Sequence, residues 1–258
     1  MIAGKNMVTR SRADYGLDAP GFVKTCLRGG IALLALALVL IVVGNTLLAH
    51  ASLLVVVIVN IIVILALINA CWMIPTALLM FRSSFVGKFR LRDRLLDNLH
   101  LRGDEKVLDV GCGHGLLLIG AAKRLPHGRA VGIDLWSSAD QSDNCPAATL
   151  ANAEAEGVAD RVEVIDGDMR HMPFEDAAFD AVVASLSIHN ISNREERRRA
   201  IQEIVRVLKP QGQVALLDIA HTRQYAQDLA ACGMRNVHVS GLSFQIYPPV
   251  RIVTATKG

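Results

Sequence analysis

Between Gly29 and Phe81 the chain has no Asp, Glu, Lys or Arg, a run of 53 residues without a formal charge. Such a run excludes an ordinary soluble single domain, in which charges recur throughout. Cysteine is sparse as well: five, at positions 26, 71, 112, 145 and 232, none in a CxxC pair. Those spacings suggest neither a zinc site nor a disulfide framework, and free thiols fit a reducing compartment. Internal repeats are absent, as are low-complexity stretches other than the apolar block. No metal site is expected.

What is present falls into two parts. The 258 residues carry a net charge of +3, with a pI near 8.7 and a mean hydropathy of +0.37. Two basic patches flank the apolar block: Lys5, Arg10, Arg12, Lys24 and Arg28 before it, and Arg82, Lys88, Arg90, Arg92 and Arg94 after it. A nucleic-acid surface is one reading. Anchoring against anionic lipid headgroups is the better one, and no nucleic-acid partner is expected.

The apolar block reads as a helical hairpin. A span needs roughly 20 residues, so the block holds two, at about 31–49 and 53–74, with "GNT" and "HAS" as the only turn material. In lipid the backbone must satisfy its own hydrogen bonds, which makes these segments helices despite the many Val and Ile of the second. The long basic lead and the immediate second run argue against a cleavable signal peptide. A monotopic hairpin in one leaflet is a weaker alternative. Asn60 and Asn69 are assigned to hydrogen bonds between the helices. Basic residues on both flanks and none in the connection put both ends in the cytoplasm. The expected organisation is a basic segment at 1–28, the hairpin at 29–81, an amphipathic linker helix at 82–103 and a domain at 104–258. The linker either lies on the membrane surface or packs on the sheet as an extra helix.

From Lys106 onward, short apolar strands alternate with helical segments. Strands are predicted at 106–110, 130–134, 162–166, 179–184, 213–219, 236–240 and 250–255, and helices at 116–125, 147–157 and 194–208. Ile201, Ile204, Val205 and Leu208 form a buried stripe on the last helix, with Ser192 and Glu195 as a possible capping box. Lys209 to Gly212 ends it. The fold class is α/β: a doubly wound, mostly parallel seven-stranded sheet preceded by two transmembrane helices. The last two strands should form an antiparallel hairpin at the sheet edge.

"VLDVGCGHG", residues 107–115, is the motif that carries chemistry. A phosphate loop needs Gly-Lys-Ser/Thr, and "GHGLL" offers neither lysine nor hydroxyl. The glycines at 111, 113 and 115 are one residue short of the dinucleotide register. Asp109, just before the first glycine, would repel a pyrophosphate and welcome a cation. S-adenosylmethionine carries a sulfonium and an amino group and no phosphate.

Here the sequence resembles the class I S-adenosylmethionine-dependent methyltransferases, in particular their small-molecule, type 11-like branch. The likeness covers about 104–220. It rests on "VLDVGCGHG", "VGIDL", "VIDGDMRHMPFEDAAFDAVVAS" and "RVLKPQGQVALLD" in the expected order. The resemblance implies S-adenosylmethionine as cofactor, held by a set of ten residues. Asp109 would serve its methionine end, through its ammonium or the surrounding hydrogen-bond network. Gly111, Cys112, Gly113 and Gly115 would admit the nucleoside. Asp134 would accept from the ribose hydroxyls, and Leu135 would pack on adenine. Asp168 and Met169 would meet the adenine edge, with Ser185 at the end of the fourth strand. Gln211 departs from the usual glycine there, which leaves the turn type open.

Methyl transfer is an in-line displacement, and the protein mainly aligns donor and acceptor, worth about 7–11 kcal/mol at best. An alcohol or phenol acceptor also needs a base. In "ASLSIHNIS", residues 184–192, His189 is the candidate base and Asn190 would orient it or the acceptor. The Asn/Asp-Pro-Pro-aromatic signature is absent, which disfavours nucleic-acid and glutamine amides. No insertion between the fifth and sixth strands is long enough for a cap domain. Residues 1–30, the linker helix or the bilayer itself would then close the acceptor mouth. The 135–148 stretch is a lid, an acceptor wall or a solvated loop. The expected function is methyl transfer to a small lipophilic acceptor, a lipid, a quinone-like phenol or a thiol, and the expected partners are that small-molecule or lipid acceptor and membrane lipids. The alternatives are a membrane adaptor that binds the cofactor without turnover, and a methylase of membrane-protein side chains. Neither a heptad seam nor a small-residue stripe predicts an oligomer.

Overall fold

A computed structural model describes residues 13–47, 51–137 and 144–258. They form two compact units, residues 17–86 and residues 87–258, the second including the short stretch up to Gly16 that precedes the first. Lys5, Arg10 and Arg12 of the expected basic segment, His50 of the expected turn and residues 138–143 of the 135–148 stretch lie outside the described residues.

The first unit is a pair of long helices, α1 (Pro20–Leu47) and α2 (Leu53–Arg82). Both are long and apolar enough to cross a membrane. α1 begins eleven residues before the predicted span, because Pro20 suits a first helical position and Lys24 and Arg28 are good helix formers. Gly44–Thr46, expected in the turn, belongs to α1. α2 continues past 74 through Pro75, which removes one helical hydrogen bond without ending the helix. The two helices meet through small residues. A Cβ on Gly29 or Gly30 would stand 2.6 Å from Met73 or Ile74, and Ala37 packs with Val63 and Ala66. Asn60 and Asn69 do not bridge the helices. Each donates to the carbonyl four residues back on its own helix, Val56 at 2.9 Å and Leu65 at 2.8 Å. Such a bond satisfies the amide locally, so the pairing of the helices is one of apolar packing.

The second unit opens with α3 (Lys88–Asp97), entered through a π-helical turn at Ser83–Gly87. Its Leu91, Leu95 and Leu96 are buried against the domain, and Gly120 is the gap that lets Arg92 and Leu96 come close. The linker helix thus packs on the domain, the second of the two expected arrangements.

Seven strands follow: β1 (Lys106–Val110), β2 (Arg129–Asp134), β3 (Val162–Asp166), β4 (Phe179–Ser185), β5 (Leu208–Asp218), β6 (Met234–Val239) and β7 (Arg251–Lys257). Their spatial order is β3-β2-β1-β4-β5-β7-β6, with β7 antiparallel to both neighbours. The helices are α4 (Leu116–Ala122), α5 (Pro146–Ala155), α6 (Arg194–Val207) and α7 (Thr222–Ala231). Alternation along each strand sorts the core into two layers. Val107, Ala181, Val183, Ala215 and Leu217 meet α3, α4 and α5. Leu108, Val110, Val182, Val214 and Leu216 meet α6 and α7.

Two local readings are corrected. The cap of α6 is Asn193, whose Oδ1 accepts from the Glu195 and Glu196 N–H groups. The Ser192 backbone carbonyl, one residue earlier, accepts from Arg197 instead. β5 begins at Leu208, not 213, because the expected turn at 209–212 is a strand irregularity opposite Phe179–Ala181. Gln211 there takes φ +65°, the left-handed region that glycine fills without strain.

Candidate active site

Strand order reverses direction between β1 and β4, and in open α/β sheets the crevice at such a switch point is where ligands bind. The loop after β1 fills that crevice. Gly111, Gly113 and Gly115 all have positive φ, at 72°, 49° and 84°. A Cβ on Gly111 would lie 2.3 Å from that of Ser187, in the loop after β4. Ser187 Oγ in turn donates to the Val110 carbonyl at 2.7 Å. Met169 approaches the same glycine from the β3 side, its Cε 3.5 Å from that Cβ position. The Gly111 and Cys112 amides both donate to Ile133 O, which ties the loop to β2.

Three predicted cofactor residues are titratable groups in this crevice. Asp109 is 2% exposed and accepts from Leu118 N–H at 2.8 Å, at the start of α4. Burial pushes its carboxyl up to about 7; the Leu118 N–H opposes the shift and the nearby Asp134 charge adds to it. Its side chain is almost fully enclosed. Asp134, at the end of β2, accepts from Gly113 N–H at 2.9 Å and Trp136 N–H at 2.7 Å. Cys112 faces Gly132, and burial, with the Asp109 and Asp134 charges, holds its thiol well above the usual range. It is a neutral packing residue.

Asp168 is occupied by Arg170, whose guanidinium is bonded to both carboxylate oxygens and also reaches Glu196 at 2.9 Å. That bonding holds the Asp168 carboxyl below its usual range. Leu135 is 60% exposed at the crevice edge, and Ser185 is half-buried at the end of β4.

His189 sits after β4 with Nδ1 2.7 Å from Asp218 Oδ1 at the end of β5. The two atoms lie within ion-pair distance, but the ring N–H is not aimed at the carboxylate oxygen. Asp218 is 2% exposed and also accepts from the backbone N–H groups of His189 and Ile219 and from the Tyr225 hydroxyl at 3.1 Å. Burial and the Asp218 charge raise the Tyr225 phenol, so it stays a donor. A carboxylate beside Nδ1 favours the proton on that nitrogen and leaves Nε2 as the basic one. Asn190, expected to orient the histidine or the acceptor, is exposed. Sequence reading missed Asp218 and Tyr225; an acid closing the strand next to a histidine loop was the available signal.

A strap before the hairpin was also missed in detail. Asn152 on α5 pairs with both the N–H and the carbonyl of Asp14 and donates to the His114 carbonyl in the glycine loop. Tyr15 is buried against Phe89, and Lys88 donates to the Tyr15 and Gly16 carbonyls.

The donor set fits S-adenosylmethionine. Asp134 has two carboxylate oxygens that would accept from vicinal hydroxyls, the side-chain-free face of the loop would admit a nucleoside, and Asp109 would offer negative charge to a cation. A fold and site of this kind fit an S-adenosylmethionine-dependent methyltransferase. Comparison with known proteins agrees. A family model described as "Methyltransferase domain" matches residues 107–212. An uncharacterized methyltransferase of Mycobacterium bovis is 30% identical over 149 residues, covering 56% of this chain and 68% of that protein. A ubiquinone/menaquinone biosynthesis C-methyltransferase of Ruegeria sp. is 32% identical over 136 residues, 52% of this chain and 51% of the other. Among solved structures, geranyl diphosphate C-methyltransferase from Streptomyces coelicolor superposes with a TM-score of 0.53 at 17% identity, covering 66% of this chain and 76% of that one, which speaks for the fold. The chain belongs to the S-adenosylmethionine-dependent methyltransferase family, and S-adenosylmethionine is its cofactor. It spans about half the length of most of the curated relatives it matches.

Proposed function

We propose that this methyltransferase is anchored by α1 and α2 as a two-pass membrane protein, with its catalytic domain in the cytoplasm. Its acceptor is a small lipophilic molecule bearing an ionisable O–H or an acidified C–H, such as a lipid or quinone-like phenol. A relative named for quinone biosynthesis supports an apolar acceptor. The basic flanks of the hairpin support the orientation.

The observation that carries the reading is the Asp218–His189 pair at the carboxyl edge of the sheet. S-adenosylmethionine supplies an electrophilic methyl group when bound. Asp134 would hold its ribose hydroxyls, Met169 and Leu135 its adenine, and Asp109 would balance its positive charge through the glycine loop. His189 takes the acceptor's proton at Nε2, and Asp218 stabilises the imidazolium that forms. A thiol acceptor would need this base far less, since part of a thiol is already ionised near neutral pH.

The test is turnover of the variant at saturating cofactor. His189→Gln should lower kcat by about 100-fold or more, with cofactor affinity unchanged. Unchanged kcat in that variant would refute the assignment of His189.

A further inference from the structure

β6 runs parallel to β5 and ends at the same sheet edge as the active site. The loop that leaves it, residues 240–250 ("SGLSFQIYPPV"), has no charged residue. It is well ordered by its own hydrogen bonds: Ser243 and Val250 exchange both backbone bonds, and Ser240 N–H donates to Ile252 O. Ile246 and Val250 point into the core. Leu242 and Phe244, two residues apart on extended chain and so on one face, are instead 52% and 73% exposed. Phe244 is the most exposed large apolar side chain of the catalytic unit among the described residues.

Two further observations say what covers this face. Gly87 makes its closest approach to this loop, with a Cβ there only 2.0 Å from the Gln245 carbonyl oxygen. Gly87 directly follows Val86 in the chain, so the loop is pinned where the polypeptide arrives from the apolar hairpin. Leu242 also lines a depression of about 250 Å³ together with Ile219, Ala220, His221 and Arg251. Ile219 adjoins Asp218, the partner of His189. A loop without charge, tipped by a leucine and an aromatic, has the composition of a bilayer-interface element.

We infer that the 240–250 loop dips into the bilayer interface and puts Leu242 and Phe244 among the lipid acyl chains at the acceptor entrance. An apolar acceptor then passes from lipid along Leu242 and Ile219 toward His189 without crossing water. This rests on the reading of the hairpin as a membrane anchor. The test separates the two.

The full chain carrying Trp72→Phe, which leaves Trp136 as internal control, is reconstituted with and without Phe244→Trp. The vesicles are phosphatidylcholine, either unbrominated or brominated in the upper acyl chain. Co-flotation with the vesicles reads the anchor. Emission added by Phe244→Trp should be blue-shifted and quenched about twofold or more by the brominated lipid, with Trp136 unaffected. A chain that floats while that emission is water-like and unquenched overturns the inference and leaves the anchor standing. Blue-shifted but unquenched emission means a second copy or another protein covers the loop, and overturns it as well. A chain that does not float overturns both.

Discussion

Replacing Asp109 by asparagine removes a carboxylate whose ionisation the fold opposes. Its pKa rises from 3.8 in the unfolded chain to about 7 in the native one. At about 1.4 kcal/mol per pH unit, a rise of that size corresponds to about 4 kcal/mol of destabilisation when the group is ionised. The native state holds this proton more tightly than the unfolded state does. The destabilisation is therefore absent below pH 4, grows as pH rises toward 7, and is constant above that. The carbonyl of the substituted amide can still accept the Leu118 N–H, so the variant keeps the contact and loses the charge. Without cofactor, Asp109→Asn should match the parent in thermal unfolding near pH 4. By pH 8 it should unfold about 10 °C higher, if each kcal/mol shifts the midpoint by about 2–4 °C in a domain this size. The cofactor's cation should remove that advantage, because it favours the ionised parent and not the amide. A stability gap that does not change with pH, or a variant less stable at pH 8, would refute the argument that Asp109 is a buried countercharge.

Gly111→Ala places a Cβ 2.3 Å from that of Ser187 at φ 72°, whereas Gly233→Ala at φ 83° meets nothing within 4 Å. Denaturant unfolding should show a loss of about 1–2 kcal/mol for Gly233→Ala and clearly more for Gly111→Ala, with cofactor binding lost only in the latter. Asn152→Ala removes the ties from the Asp14 strap to the His114 carbonyl. It should cost about 2–3 kcal/mol, weaken cofactor binding and expose the residues before Leu17 to limited proteolysis. Asp218→Asn keeps the shape around His189 and removes the charge. It should lower kcat by about 10-fold or more while KM for the cofactor stays put.

The sheet was legible because its signals are local. Each strand is a short apolar run ending in a glycine, an acid or a turn, and alternation specifies parallel order. The glycine loop was legible for the same reason: three glycines and an acid within nine residues leave few chemistries open. What escaped is long-range or lies at element ends. Asp218 lies 29 residues from His189, and the Asp14 strap 138 residues from Asn152. No local pattern marks either pairing. The α6 cap was misread by one residue because Ser192 and Asn193 are both good caps, and the choice fell to the backbone turn and to Arg197, which takes the Ser192 carbonyl. In the hairpin, asparagine suggested polar contact between the helices. Each amide found its own backbone first, and glycine and alanine made the contact.

The most direct test of the central claim uses the full-length protein with methyl-labelled S-adenosylmethionine and host membranes, followed by separation of lipid-phase from protein-phase label. Label in the lipid phase that disappears with His189→Gln is the predicted result. Label confined to protein, or lipid label unaffected by that substitution, would contradict it.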